Sequence, residues 1–154
     1  MTRRDNSERA DSRVTDAPVR VPETVALDQT FSVDDLYALR AAVAAHASDL
    51  GLPADRVEGL VIVATELATN AVRHGGSTGR LRLWNEDDDL YCEVTDRGPG
   101  IADPDVAGTR PVPLTSDGGR GLWIVRQLCD RLYLTSAATG TTVTAVIRID
   151  DTAA

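Results

Sequence analysis

The stretch ADRVEGLVIVATELATNAVRH, residues 54–74, constrains the fold more than any other part of the chain. Pro53 precedes it and Gly75 and Gly76 follow, so both ends carry helix breakers. Between them apolar residues recur at Val57, Leu60, Val61, Ala64, Leu67, Ala68 and Ala71. That is a 3.6-residue period, and it predicts one amphipathic helix whose stripe faces a core. At about 100° per residue, Glu66 and Asn70 point within about 40° of each other on the side opposite the stripe, with Arg73 beside them. Neither residue is needed to form the helix. A carboxylate and an amide one turn apart usually mark only a solvated face, so the pair acquires meaning from its surroundings alone.

Those surroundings alternate in a second way. Val25 to Phe31 reads as a short strand, and SVDDLYALRAAVAAHASDLG as a helix with Ser32 as N-cap, Gly51 as stop, and Leu36, Leu39, Val43 and Leu50 at helical spacing. After the long helix, GRLRLWN sets Leu81 and Leu83 against Arg82 and Trp84. DDDLYCEVTD sets Leu90, Cys92 and Val94 against Tyr91, Glu93 and Thr95, and the acidic run Glu86 to Asp89 forms the turn between the two strands. If the alternation continues, Asp96 lies on the inward face, where a carboxylate is costly unless something donates hydrogen bonds to it. A Gly- and Pro-rich segment, RGPGIADPDVAGTRPVPLTSDGGRG, is too long for an ordinary connection and reads as a lid or binding loop. A third helix begins near Leu122, with Leu122, Val125, Leu128 and Cys129 on one face. RLYLTSA and GTTVTAVIRI close the domain as strands, and Thr141 shares a face with Val143, Ala145, Ile147 and Ile149.

Composition bounds the function classes. The 154 residues, 42% hydrophobic and 26% charged, suit one soluble domain. Sixteen basic against 24 acidic residues give a net charge of −8, the wrong sign for a general nucleic-acid binder. Cys92 and Cys129 lie far apart with no Cys-x-x-Cys pair, which indicates buried free thiols in a reducing compartment rather than a zinc site or a disulfide framework. No apolar run approaches the roughly 18 residues of a membrane span, so a cytoplasmic protein without membrane contact is expected. Residues 1–22 mix Arg, Asp, Ser and Thr without a hydrophobic period and read as a disordered arm, leaving residues 23–151 as the folded domain.

Chemistry-bearing residues gather in four places: Glu66 with Asn70, Asp96 with Gly98 and Gly100, the glycines 118, 119 and 121 at a helix start, and Thr141. Glycines before a helix let backbone N–H groups approach an anion at the positive helix end. The run is not a P-loop, because no Gly-Lys-Ser/Thr ending follows, and it is not a dinucleotide fingerprint. His74 reads as a capping or packing residue, His46 has no partner visible in the sequence, and Trp84 and Trp123 read as packing or interface residues.

Order and spacing are far more specific than any one of these. The helix ELATNAVRHGG, the strand end DRGPG and the loop GGRGLWIV resemble the three conserved boxes of the GHKL ATPase superfamily, and the resemblance covers nearly the whole chain after residue 22. The compact size and the ATELATNAVRH style of the first box are most similar to the bacterial anti-sigma-factor serine kinases. The resemblance implies an α+β fold, a two-layer Bergerat-type sandwich with helices on one face of a mixed, mostly antiparallel sheet. It also implies ATP and Mg²⁺ as cofactors. By the same resemblance Glu66 is the general base, Asn70 holds Mg²⁺ at the phosphates, and Asp96 accepts a hydrogen bond from the adenine amino group. Gly98 and Gly100 let the backbone pass close to base and ribose, and Thr141 assists adenine recognition. Gly119, Arg120, Gly121 and Leu122 form the phosphate-binding turn; Arg97 and Arg110 are weaker phosphate candidates and read better as solvated arginines. The implied partners are a small anti-anti-sigma (STAS-type) protein and a sigma factor, with the chain itself a homodimer and no direct contact with nucleic acid or membrane. An ATP-binding module without phosphotransfer stays open as the alternative. A sensor-kinase catalytic domain fits less well, since about 30 preceding residues leave no room for a phosphoacceptor hairpin.

Overall fold

The computed structural model describes residues 19–74, 76–98, 120–137 and 139–149. In chain order these form β1 (Leu27–Ser32), a 3-10 turn (Val33–Asp35), α1 (Leu36–Asp49), α2 (Ala54–His74), β2 (Thr78–Glu86), β3 (Asp89–Asp96), α3 (Arg120–Leu128), β4 (Arg131–Ala137) and β5 (Gly140–Arg148). Among the described residues the sheet has five strands in the order β1-β2-β3-β5-β4. All four pairings are antiparallel, so the expected parallel component is absent from them.

Local chemistry explains the element ends. Ser32 does precede a helical segment, but the first turn is 3-10 rather than α, and the Asp35 carboxylate accepts hydrogen bonds from the Ser32 backbone N–H at 2.8 Å and hydroxyl at 3.1 Å. At the other end of α1, Leu52 N–H reaches the Ala47 carbonyl at 3.1 Å and Gly51 N–H the Ser48 carbonyl at 3.0 Å. Gly51, at φ +100°, supplies the left-handed residue that this helix stop requires. Helix α2 runs over the full span read from the sequence.

The core lies between the helices and one face of the sheet. Leu60, Val63, Ala64, Leu67, Ala68 and Ala71 of α2 meet Leu81, Leu83, Leu90, Cys92, Val94, Leu132, Leu134, Val143, Ala145 and Ile147 of the strands. Val57 and Val61 stand at the edge of this cluster, and Val63, absent from the predicted stripe, is fully buried in it. The alanines on α2 allow close approach: a Cβ on Gly79 of β2 would stand 3.2 Å from Ala71 Cβ and 2.6 Å from the Phe31 ring. Truncating a large residue here, Leu60→Ala for instance, is expected to cost about 2–5 kcal/mol. Among the described residues no helix is long and apolar enough to cross a membrane.

The second face of the sheet is less bare than a two-layer sandwich suggests. Arg82 and Glu93 are register partners joined by an ion pair at 2.6 Å, and Trp84 stacks on its own partner Tyr91 with ring centroids 5.2 Å apart. Val19 and Val21 line a cavity of about 200 Å³ above Arg82, Glu93 and Thr144 on this face. Val19 and Val21 lie within residues 1–22, the stretch expected as a disordered arm. Residues 1–18 lie outside the described residues.

Candidate functional site

Topology brings the candidate residues to one end of the sandwich. Arg56, in the first turn of α2, reaches Asp130 just after α3, at 3.4 Å. Helices α2 and α3 are thus antiparallel neighbours, with the start of α3 beside the C-terminal half of α2. That half is level with the end of β3, because Ala71 packs on Gly79 and the next residue, Arg80, pairs with Thr95. The Glu66/Asn70 pair, the start of α3, the end of β3 and the start of β5 therefore converge.

The convergence is tight at Gly121. A Cβ built there would stand 2.8 Å from Glu66 Oε1, 3.4 Å from Asn70 Nδ2 and 3.5 Å from Asn70 Oδ1. The pair is thus not on an open solvated face: both side chains are half-buried, with the first turn of α3 against them. Glu66 and Asn70 bring a carboxylate oxygen and a carboxamide oxygen within 3.5 Å of one point, beside a helix start whose N–H groups are not all used by the helix. A carboxylate there can take a proton, and the amide oxygen can join a metal's oxygen shell.

Among the described residues no group of three or more His, Cys, Asp or Glu could hold a metal ion. A fully protein-caged cation does not fit this donor set. One amide oxygen does suit Mg²⁺, which usually keeps several waters and takes most of its other oxygens from phosphates.

The second half of the site is at the strand ends. Asp96 and Thr141 are directly opposed in the β3–β5 register and so share a face, as the alternation predicted. Asp96 is half-buried, and its Oδ1 accepts the Gly98 backbone N–H at 2.8 Å. The sequence left that carboxylate without a donor from the protein; the donor is two residues downstream, in an Asx turn. Thr141 is 6% exposed, and its hydroxyl lies 3.1 Å from that of Ser136, its register partner on β4. Gly140 closes the corner, since a Cβ there would run into the Asp96 carbonyl oxygen. Sequence reasoning passed over Ser136 and Gly140. The signal for Ser136 was the alternation of RLYLTSA, which puts it on the face of Leu132 and Leu134.

The remaining candidates divide three ways. Leu122 is 5% exposed and belongs to the core, so only its backbone can serve a ligand. Gly98 is buried and in place; Arg120 opens α3, with its side chain outside the described residues. Gly100, Gly119 and Arg110 lie wholly outside them. Arg97 and His74 are exposed, and His46 pairs through Nδ1 with the Ala42 carbonyl at 2.8 Å, a local partner within its own helix. Trp84 is a packing residue, as read. The cavity bounded by Val19 and Val21 lies on the other face of the sheet and is not this site.

The sequence pattern of the histidine kinase-like ATPase domain matches residues 30–147. The serine-protein kinase RsbW of Halalkalibacterium halodurans is 28% identical over 127 residues, covering 75% of this chain and 78% of that protein. The RsbU and RsbW domains of a Mycobacterium tuberculosis protein superpose with a TM-score of 0.58 at 19% identity, over 80% of this chain but only 32% of that one. The histidine kinase domain of a blue-light-activated kinase from Erythrobacter litoralis gives a TM-score of 0.51 at 22% identity, over 78% of this chain and 68% of that one. At such identities the likeness of structures speaks for the fold alone.

Proposed function

The chain belongs to the histidine kinase-like ATPase domain family, and from that membership we propose that it is an Mg-ATP-dependent serine kinase that phosphorylates a small anti-anti-sigma protein and sequesters a sigma factor. The observation that carries the kinase reading is the meeting of Glu66 and Asn70 at Gly121. A base and a metal-binding oxygen one helical turn apart are what transfer of a γ-phosphoryl group to a hydroxyl needs. The similarity to a serine-protein kinase, at 28% identity, supports the acceptor as serine.

In this mechanism the acceptor hydroxyl oxygen attacks the γ-phosphorus in line, the bond to the β–γ bridging oxygen breaks, and ADP leaves. Glu66 Oε1 takes the hydroxyl proton. Mg²⁺, when bound, offsets negative charge on the phosphates. Asn70 would hold that metal through its amide oxygen, and the N–H groups at the start of α3 would receive the phosphates. Asp96, kept ordered by Gly98 N–H, accepts from the adenine amino group, with Thr141 opposite it.

The test separates binding from chemistry. Glu66→Ala is expected to bind a fluorescent ATP analogue nearly as wild type does while phosphoryl transfer falls by about 10²- to 10⁴-fold. Asn70→Ala is expected to weaken Mg-dependent binding as well. Both variants should keep the wild-type circular dichroism spectrum, because neither side chain is part of the core cluster. Wild-type transfer by Glu66→Ala ends the general-base assignment. Absence of transfer by the wild type to its sigma-regulating partner leaves a nucleotide-binding module.

A further inference from the structure

We propose that Gly121 is a positioning residue for Glu66: its bare Cα leaves the carboxylate the one place in which it lies beside Asn70 at the start of α3. The proposal rests on the reading of Glu66 as the base and adds to it what holds that base in line.

The usual reasons for a glycine do not apply at this position. Gly51, Gly76 and Gly140 are the described glycines with positive φ, and Gly121 is not among them. It lies within the helix Arg120–Leu128, in a conformation open to any residue. Alanine there would favour the helix, by the propensity scale, over glycine. What forbids a side chain is the neighbour: a Cβ would stand 2.8 Å from Glu66 Oε1, closer than a carbon and a carboxylate oxygen can pack. The two Asn70 contacts, at 3.4 and 3.5 Å, are close to ordinary packing distances and could stay almost where they are.

The consequence follows from which atom is in the way. Oε1 is the far end of a flexible side chain, so a methyl group at position 121 is accommodated by swinging the carboxylate aside. The fold survives and Asn70 is little disturbed. The base alone moves, and a general base out of hydrogen-bond reach of its proton stops working. A glycine needed only so that phosphates can approach the backbone would behave differently, because alanine would then weaken nucleotide binding whether or not Glu66 is present.

A double-mutant cycle on the full chain separates the two. In the Glu66→Ala background, where the space is empty, Gly121→Ala should raise the urea midpoint, as replacement of a helical glycine does. In the wild-type background the same substitution should raise it less or lower it. Phosphoryl transfer from Mg-ATP to a serine of the partner protein should fall about 100-fold on Gly121→Ala alone and no further when it is added to Glu66→Ala. Affinity for a fluorescent ATP analogue should change by less than about threefold throughout. An equal midpoint shift in the two backgrounds overturns the proposal, and so does loss of nucleotide affinity in both. The urea arm decides the contact even if the wild type transfers no phosphoryl group to the partner, a result that would count against the kinase reading alone.

Discussion

Asp96 and Thr141 face each other across the β3–β5 ladder, and each is held by a different neighbour: Asp96 Oδ1 by the Gly98 N–H, Thr141 Oγ1 by the Ser136 hydroxyl. Two strand ends thus present an acceptor and a hydroxyl side by side, with part of their hydrogen-bonding capacity unused. An adenine edge, which offers an amino donor beside a ring-nitrogen acceptor, matches such a pair. Asp96→Asn keeps an oxygen for Gly98 N–H, so the turn should persist and thermal stability should stay close to wild type. The amide's NH₂, however, replaces the acceptor that the adenine amino group needs. Loss of one hydrogen bond to a charged group is worth about 1.5–3 kcal/mol, or roughly a tenfold to hundredfold drop in affinity. Calorimetric titration with ATP and GTP checks it: wild type should prefer ATP strongly, and Asp96→Asn should lose most of that preference. Unchanged ATP affinity removes Asp96 from the base site.

Gly140 offers a contrast with Gly121. A Cβ on Gly140 would meet the Asp96 carbonyl oxygen, which is backbone and cannot swing away. The strand itself must shift. Gly140→Ala is therefore expected to destabilise the protein by about 1–3 kcal/mol, the range typical of overpacking, and to weaken ATP-analogue binding by separating Thr141 from Asp96. Urea unfolding beside a binding titration measures both. A variant as stable as wild type would mean that the β4–β5 turn is looser than described.

How much of this was legible beforehand depended on whether a feature is written locally. Helix α2 was readable to its ends because Pro53 and the two glycines are breakers and the stripe is continuous between them. The pairing of Asp96 with Thr141 was half readable: alternation put both on inward faces, but nothing in either strand names the other as its partner. The donor to Asp96 was readable in principle from the Asp-x-Gly spacing. The contact of Gly121 with Glu66 was not, since it depends on how α3 crosses α2, more than 50 residues away in sequence. The second sheet face misled for a related reason. Alternation set Arg82 and Glu93 opposite the core, which in a two-layer sandwich means water, yet Glu93 is 3% exposed.

That second face supplies its own prediction. Glu93 takes both Arg82 bonds on Oε1, from Nε at 2.8 Å and Nη2 at 2.6 Å, and its side chain is only 5% exposed. Removing the arginine strands a buried carboxylate, so Arg82→Ala should destabilise by about 3–5 kcal/mol. Replacing both partners, as in Arg82→Met with Glu93→Leu, should recover most of that loss, because no charge is then left unpaired. Wild type, Arg82→Ala and the double variant can be compared by urea midpoint. Equal losses for the single and double variants would show that packing of the arginine stem, and not its charge, is what matters.

Cys92 gives the pH dependence. Burial, helped by the negative charge of the neighbouring Glu93, pushes its thiol from an ordinary value of 9.0 up to about 12. The native state therefore holds this proton more tightly than the unfolded chain does. The stability that goes with it is complete below about pH 9 and is lost as pH rises from there towards 12. Tyr91 is raised too, chiefly by burial, and acts with the same sign, so a fall in stability at alkaline pH does not by itself identify the cysteine. Cys92→Ala does, because it removes one titrating group and leaves the other. Its urea midpoint should decline less between pH 8 and pH 10.5 than that of wild type, even though its midpoint at pH 7 is lower from lost packing. The same burial should keep Cys92 unreactive toward a thiol reagent at pH 8 until the protein is unfolded. Rapid labelling of Cys92 in the folded protein would contradict both expectations at once, since a thiol open to reagent is open to water and has no cause to hold its proton.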